Sequence, residues 1–74
     1  MIYFDGVHLV ADTLEELHKF AVLIKLNKCW YHGVHKGHPH YDVTNSDMVK
    51  KCWSYGAQYR RPREILEISG KLIK

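Results

Sequence analysis

No stretch of this chain is apolar for long enough to cross a membrane. The longest mainly apolar run, Phe20 to Leu26, is broken by Lys25 and falls far short of the ~20 residues a span requires. The opening "MIYFDGVHLV" has no basic start and carries Asp5, so it does not read as a secretory signal. A cytoplasmic protein with no membrane contact is the expectation. Cysteine is scarce: Cys29 and Cys52 are too far apart for a metal-binding pair and too few for a disulfide framework. Two partly buried free thiols are expected, with one strand-to-helix bridge as the other option. Nothing near Cys29 marks it as an activated nucleophile. No dinucleotide fingerprint is present, and "HGVHKGH" lacks the Lys-Ser/Thr ending of a phosphate loop. Ser46, Ser54 and Ser69 lie outside any nucleophile elbow.

What is present suits one small folded domain spanning residues 1–74. The chain is 46% hydrophobic, with Trp30 and Trp53 among its aromatics, which favours a folded domain over a disordered polypeptide. At this length a fold buries only about 60–65% of the unfolded surface, so the core is thin. The net charge of +3 is mild. Basic residues gather late, at Lys50, Lys51, Arg60, Arg61 and Arg63, where they form either a solvated surface or a phosphate-facing patch.

Local patterns give the element order. "IYF" is β-prone, Asp5-Gly6 signals a tight hairpin turn, and a short extended piece follows at Val7–Val10. "DTLEELHKFAVLIKL" places Thr13 and Glu16 in a capping box and repeats Leu14, Leu17, Ala21 and Ile24 at helical spacing. "CWYH" and "HYDVT" read as two antiparallel strands joined by a histidine-rich loop. Thr44, Asn45 or Ser46 caps a second helix that turns Met48, Val49, Cys52 and Trp53 inward and ends at Gly56. "AQYR" is a brief strand. Pro62 starts a third helix, whose last turn Gly70 weakens. The prediction is an α+β domain, β-α-β-β-α-(β)-α, with a short sheet of three to four strands covered by helices; a ferredoxin-like arrangement would be cramped at this length.

Histidine is the unusual ingredient. Four of the chain's six histidines, His32, His35, His38 and His40, fall in "HGVHKGHPHYD". Short histidine spacings can supply zinc with nitrogen ligands if the loop folds back. Gly33 and Gly37 argue for a flexible loop that would resist ordering.

Three blocks, "HLVADTLEELHKFA", "CWYH" and "PHYDVT", resemble a small bacterial and phage domain of unknown function. That domain carries an H-[ILV]-[IV]-A-D-T-x-x-E-L-H block, a W-[FY] pair, an H-Y-D segment and a basic helix ending in Gly-Ala. The likeness spans nearly the whole chain. It implies importance for His8, Asp12, Glu16, His18, Trp30, His40, Tyr41 and Asp42, with Lys50 or Lys51 on the basic helix. It reaches "PHYD" and not His35 or His38. The phage association rests on the resemblance alone.

A second site can be assembled from separate blocks. His40 and Asp42 share a strand face by alternation, and Tyr41 points to the other. If that strand lies beside the first, the pair approaches His8 and Asp12, with His18 near. Two or three imidazoles and two carboxylates could do acid–base work or hold a divalent metal ion. Each residue also has a plain structural role: Asp12 beside the helix cap, His18 in the core, Asp42 in a turn, Trp30 and Trp53 in packing. Three functions remain open. The cluster binds a phosphate-bearing ligand, a nucleotide or nucleic acid, with Lys50, Lys51, Arg60 and Trp30 assisting and catalysis undecided. Alternatively the protein is a non-catalytic module for a host protein or nucleic acid, with Tyr55 and Tyr59 exposed. Or the loop histidines hold a structural metal.

Overall fold

The computed structural model describes residues 1–33 and 37–71. The chain runs β1 (Ile2–Phe4), β2 (His8–Ala11), α1 (Leu14–Leu23), a single 3-10 turn (Lys28–Trp30), β3 (Tyr31–His32), β4 (His40–Asp42), α2 (Ser46–Ser54), β5 (Gln58–Tyr59) and α3 (Pro62–Gly70). The α+β class is as expected, and the order of elements follows the expected one with a second strand added before α1. The sheet has five strands in the order β3-β4-β2-β1-β5, more than expected. The extended piece after the first turn is a full strand, and "AQYR" supplies an edge strand parallel to β1. In "CWYH" only Tyr31 and His32 are extended; Cys29 and Trp30 belong to the 3-10 turn, which Asn27 caps through its side chain.

Each helix forms where its local signals fall. Thr13 accepts the Glu16 backbone N–H at 3.1 Å and so starts α1. The Glu16 carboxylate is turned toward the Met1 ammonium. Asn45 caps α2 by accepting from the Asp47 and Met48 N–H groups. Pro62 opens α3, where its missing N–H and fixed φ cost nothing. Helix α2 ends at Gly56, φ 98°, with Gly56 N–H bonded to the Trp53 carbonyl and Ala57 N–H to that of Cys52. Helix α1 ends the same way: Lys25 N–H bonds to the Val22 carbonyl and Leu26 N–H to that of Ala21. There the left-handed position, φ 60°, is held by Lys25 instead of glycine.

Register decides which side chains share a face. In β1, β2 and β4, Phe4 opposes Leu9 and Leu9 opposes Tyr41. These three pack with Leu17, Phe20, Ala21 and Ile24 of α1 and Cys52 of α2 in one buried cluster. The other face carries His8, Val10, His40 and Asp42, because alternate residues point oppositely. Helix α3 crosses it, burying Ile65 and Ser69. The result is three layers: α1 and α2, the sheet, then α3. Cys29 is exposed and Cys52 buried, both as free thiols. Burial pushes the Cys52 thiol up to about 11, which leaves it unreactive at neutral pH. Among the described residues, no helix is long and apolar enough to cross a membrane.

The helix α1 terminus yields a test. A non-glycine residue held left-handed costs roughly 1–2 kcal/mol. Lys25→Gly is expected to raise stability by about 1 kcal/mol, seen as a melting temperature higher by several degrees. An unchanged or lower melting temperature would show that Lys25 bears no such strain.

Candidate metal centre

The site grows out of the turn between β1 and β2. Asp5 leads a three-residue connection, Asp5–Val7, with Gly6 at φ 103°. Its Oδ1 accepts the backbone N–H of Val7 at 2.8 Å and of His8 at 2.6 Å. Its Oδ2 lies 2.9 Å from His8 Nδ1. The Asp5 side chain is only 3% exposed. Burial pushes this carboxyl up, but the N–H groups of His8 and Val7 and the His8 ring together outweigh burial and hold it below its ordinary value. Asp5 is therefore an ionised, acceptor-only group, and His8 Nδ1 must carry the proton between them.

His40 is fixed in the same sense by different means. Its Nδ1 lies 2.6 Å from the His38 carbonyl oxygen, which can only accept. The His38 N–H in turn donates to the Gly33 carbonyl at 2.9 Å. Gly33 has φ 84°, and a Cβ there would overlap the His38 carbonyl and stand 2.8 Å from the His40 ring. The sequence reading of Gly33 as a source of flexibility is thus replaced by a tight steric fit. His38 packs its ring near Gly70, and its buried Nδ1 has no hydrogen-bond partner among the described residues.

With both Nδ1 atoms engaged, both Nε2 atoms are left for Asp42. The β2–β4 register sets His8 directly opposite Asp42. Asp42 Oδ1 is 3.0 Å from His40 Nε2 and 3.8 Å from His8 Nε2. On the edge strand β3, His32 opposes His40 and brings its Nε2 to 3.8 Å from Asp42 Oδ2. The His8 and His40 rings meet edge to face, centroids 5.3 Å apart. One ligand atom from each of His8, His40 and Asp42 falls within 4.8 Å of the others. Two imidazole lone pairs facing a carboxylate repel unless a proton or a cation lies between. Ligands about 2.0–2.2 Å from a divalent ion stand roughly 3–3.5 Å apart at octahedral or tetrahedral angles. The His40–Asp42 pair at 3.0 Å meets that spacing, and the His8–Asp42 pair at 3.8 Å would have to draw slightly closer. The locking of each Nδ1 by an oxygen is the outer support that metal-bound histidines need.

The other nominated residues lie elsewhere. Asp12 sits beyond the far end of β2, about 13 Å along the strand from His8; its carboxylate meets the Met1 ammonium and the Tyr3 hydroxyl, each at 3.3 Å. His18 lies on the opposite sheet face, its Nδ1 2.8 Å from the Tyr41 hydroxyl and its ring against Tyr31. Burial raises the Tyr41 phenol, so it remains a hydrogen-bond donor. The expected convergence therefore takes place for His8, His40 and Asp42 and fails for Asp12 and His18. Trp30 packs against the α1-side core. Arg60 lays its guanidinium over the Tyr3 ring at 4.9 Å. Lys50 and Lys51 lie on α2, whose Cys52, Met48 and Val49 pack on the α1 side of the sheet. Of the loop histidines, His35 lies outside the described residues. His38 contributes its carbonyl to the cluster, and its ring does not join the three grouped side chains.

Asp5 is the residue the sequence reading missed. It was assigned to the turn, yet the spacing Asp5 to His8 was a usable signal. An aspartate accepts the N–H two or three residues on, and the same geometry puts its second oxygen on a histidine there.

Over residues 5–71 the chain matches the family described as "Protein of unknown function (DUF4031)". It belongs to that family. Neither a search of curated proteins nor one of solved structures found a match. The family description assigns no activity, so the chemistry must come from the cluster itself.

Two variants test how the site is supported. Asp5→Asn keeps one oxygen for the Val7 and His8 N–H groups but sets an amide N–H₂ against the His8 Nδ1–H, and should cost about 1–3 kcal/mol at neutral pH. Because the folded Asp5 carboxyl titrates below its unfolded value, its stabilisation is complete above about pH 5 and fades as pH falls below about 4. The gap between wild type and Asp5→Asn in denaturant titrations should narrow over that acidic range; a gap independent of pH would contradict the assignment. Gly33→Ala should lose about 2 kcal/mol or more in the same assay, and stability equal to wild type would refute the steric fit.

Proposed function

We propose that this protein holds one divalent transition-metal ion through His8 Nε2, His40 Nε2 and an Asp42 oxygen, and that the ion binds an oxyanion ligand in its open positions. The observation that carries this reading is the orientation of both histidines. Each has its Nδ1 committed to an acceptor, Asp5 or the His38 carbonyl, and each presents its Nε2 to the same carboxylate. Two nitrogens and one oxygen on one face of a sheet leave coordination positions toward solvent, the pattern of sites that work on ligands. His32, 53% exposed and beside Asp42, is placed to add a fourth ligand.

Two neutral imidazoles and one carboxylate leave a divalent centre with net positive charge, so an anion is the natural ligand. A phosphate-bearing molecule, nucleotide or nucleic acid, is the class toward which the late basic residues point. The metal reading changes how it would be held. Lys50, Lys51 and Arg60 do not line the cavity beside the cluster, so the ion supplies the charge in their place. Hydrolysis by a metal-activated water is the reaction such a centre makes available. The support is for the centre first and for turnover only through it.

Calorimetric titration of Zn²⁺ or Mn²⁺ into protein freed of any histidine tag tests this. One equivalent should bind, and His40→Ala or Asp42→Ala should weaken it at least 100-fold while the variants stay folded. Asp12→Ala and His18→Ala should leave the affinity unchanged. Equal binding by all four variants, or none by the wild type, would remove the proposal.

A further inference from the structure

Beside His8 and His40 lies a half-open cavity of ≈ 180 Å³, roofed by Pro62, Ile65, Leu66 and Ser69 of α3. Its walls are overwhelmingly carbon. No lysine, arginine or carboxylate lines it among the described residues. The Ser69 hydroxyl is already committed to the Leu66 carbonyl at 3.0 Å. His38 is the remaining wall residue, and its buried Nδ1 has no partner among the described residues, so one polar atom stands beside an otherwise carbon lining. Space of this kind does not suit a hydrated phosphate or sugar. It suits hydrocarbon: an apolar protein cavity of about 150 Å³ is enough for benzene.

His8 and His40 are members of both features. Their rings wall the cavity, and their Nε2 atoms face Asp42. The two imidazole rings separate the centre from the cavity, so a ligand whose charged head reaches the centre has its next few atoms close to the cavity. Leu66 lines the cavity and is 52% exposed, an apolar cost that a bound group would relieve.

We propose that the ligand of this centre is a small amphiphilic acid: an oxyanion head, phosphate or carboxylate, joined directly to one ring-sized apolar group that fills the cavity under α3. This rests on the metal reading above and narrows it. The head is set by the centre, and the body by the cavity. A bare nucleotide phosphate with its polar ribose is the poorer fit, and an aryl or compact alkyl ester is the better one.

The test uses the whole chain loaded with Zn²⁺, with four probes: methyl phosphate, phenyl phosphate, acetate and benzoate. Calorimetry should show each phenyl-bearing probe binding about tenfold or more tightly than its methyl partner, the gain expected from burying a ring. The tighter of phenyl phosphate and benzoate identifies the head. Leu66→Asn should shrink the preference severalfold and leave Zn²⁺ affinity unchanged. Methyl resonances of Ile65 and Leu66 give a readout on the unaltered protein: they should shift with phenyl phosphate and not with methyl phosphate. Equal affinities within each pair, no binding of any probe, or still methyl resonances would overturn the inference while leaving a Zn²⁺ site standing. Failure to bind Zn²⁺ would overturn the metal reading and this inference with it.

Discussion

The register between β2 and β4 governs the site. His8 stands opposite Asp42 and Leu9 opposite Tyr41, so polar and apolar pairs alternate across one ladder. A slip of one residue would send Tyr41 toward α3 and the histidines into the α1-side core. The core forbids that slip, because Leu9, Tyr41 and Val43 are almost wholly buried in it. The apolar face therefore sets the position of the polar one. Pairing β2 with β4 brings His8, His40 and Asp42 together in the same step.

Around that register, cheap local groups fix the orientation of the imidazole rings. A turn aspartate, ionised and buried, holds His8 by two contacts and the Val7 N–H by a third. A carbonyl fixed by Gly33 holds His40. Neither device needs a large core, which a chain this short does not possess. The edge strand β3 then brings His32 alongside, and α3 closes the same face from above. Two faces of one sheet thus carry different residues: the main core beneath α1 and α2, the His8–His40–Asp42 cluster beneath α3.

Much of this could be read from residue order. Thr13, Asn45, Pro62 and Gly56 mark helix ends by chemistry that acts within four residues, and each is used as expected. The alternation of His40, Tyr41 and Asp42 was equally legible. Asp12 and His18 were grouped with the site because they share the motif block "HLVADTLEELHKFA" with His8. Local period says how a helix faces, not which side of the sheet it covers. Helix α1 covers the Leu9 side, so His18 meets Tyr41 through the layer opposite the cluster. Asp12 is removed by strand length alone. Asp5 and Gly33 escaped notice because aspartate and glycine are the ordinary residues of turns; their second tasks, holding an imidazole and sparing a carbonyl, appear only when distant strands are side by side.

The central claim concerns two nitrogen atoms, and nuclear magnetic resonance of the histidine rings addresses them directly. On adding one equivalent of Zn²⁺, long-range proton–nitrogen spectra should show the Nε2 signals of His8 and His40 moving to metal-bound values. Their Nδ1 signals should stay protonated, and His18 should not respond. Movement at Nδ1, a response centred on His18, or rings indifferent to the ion would contradict the account.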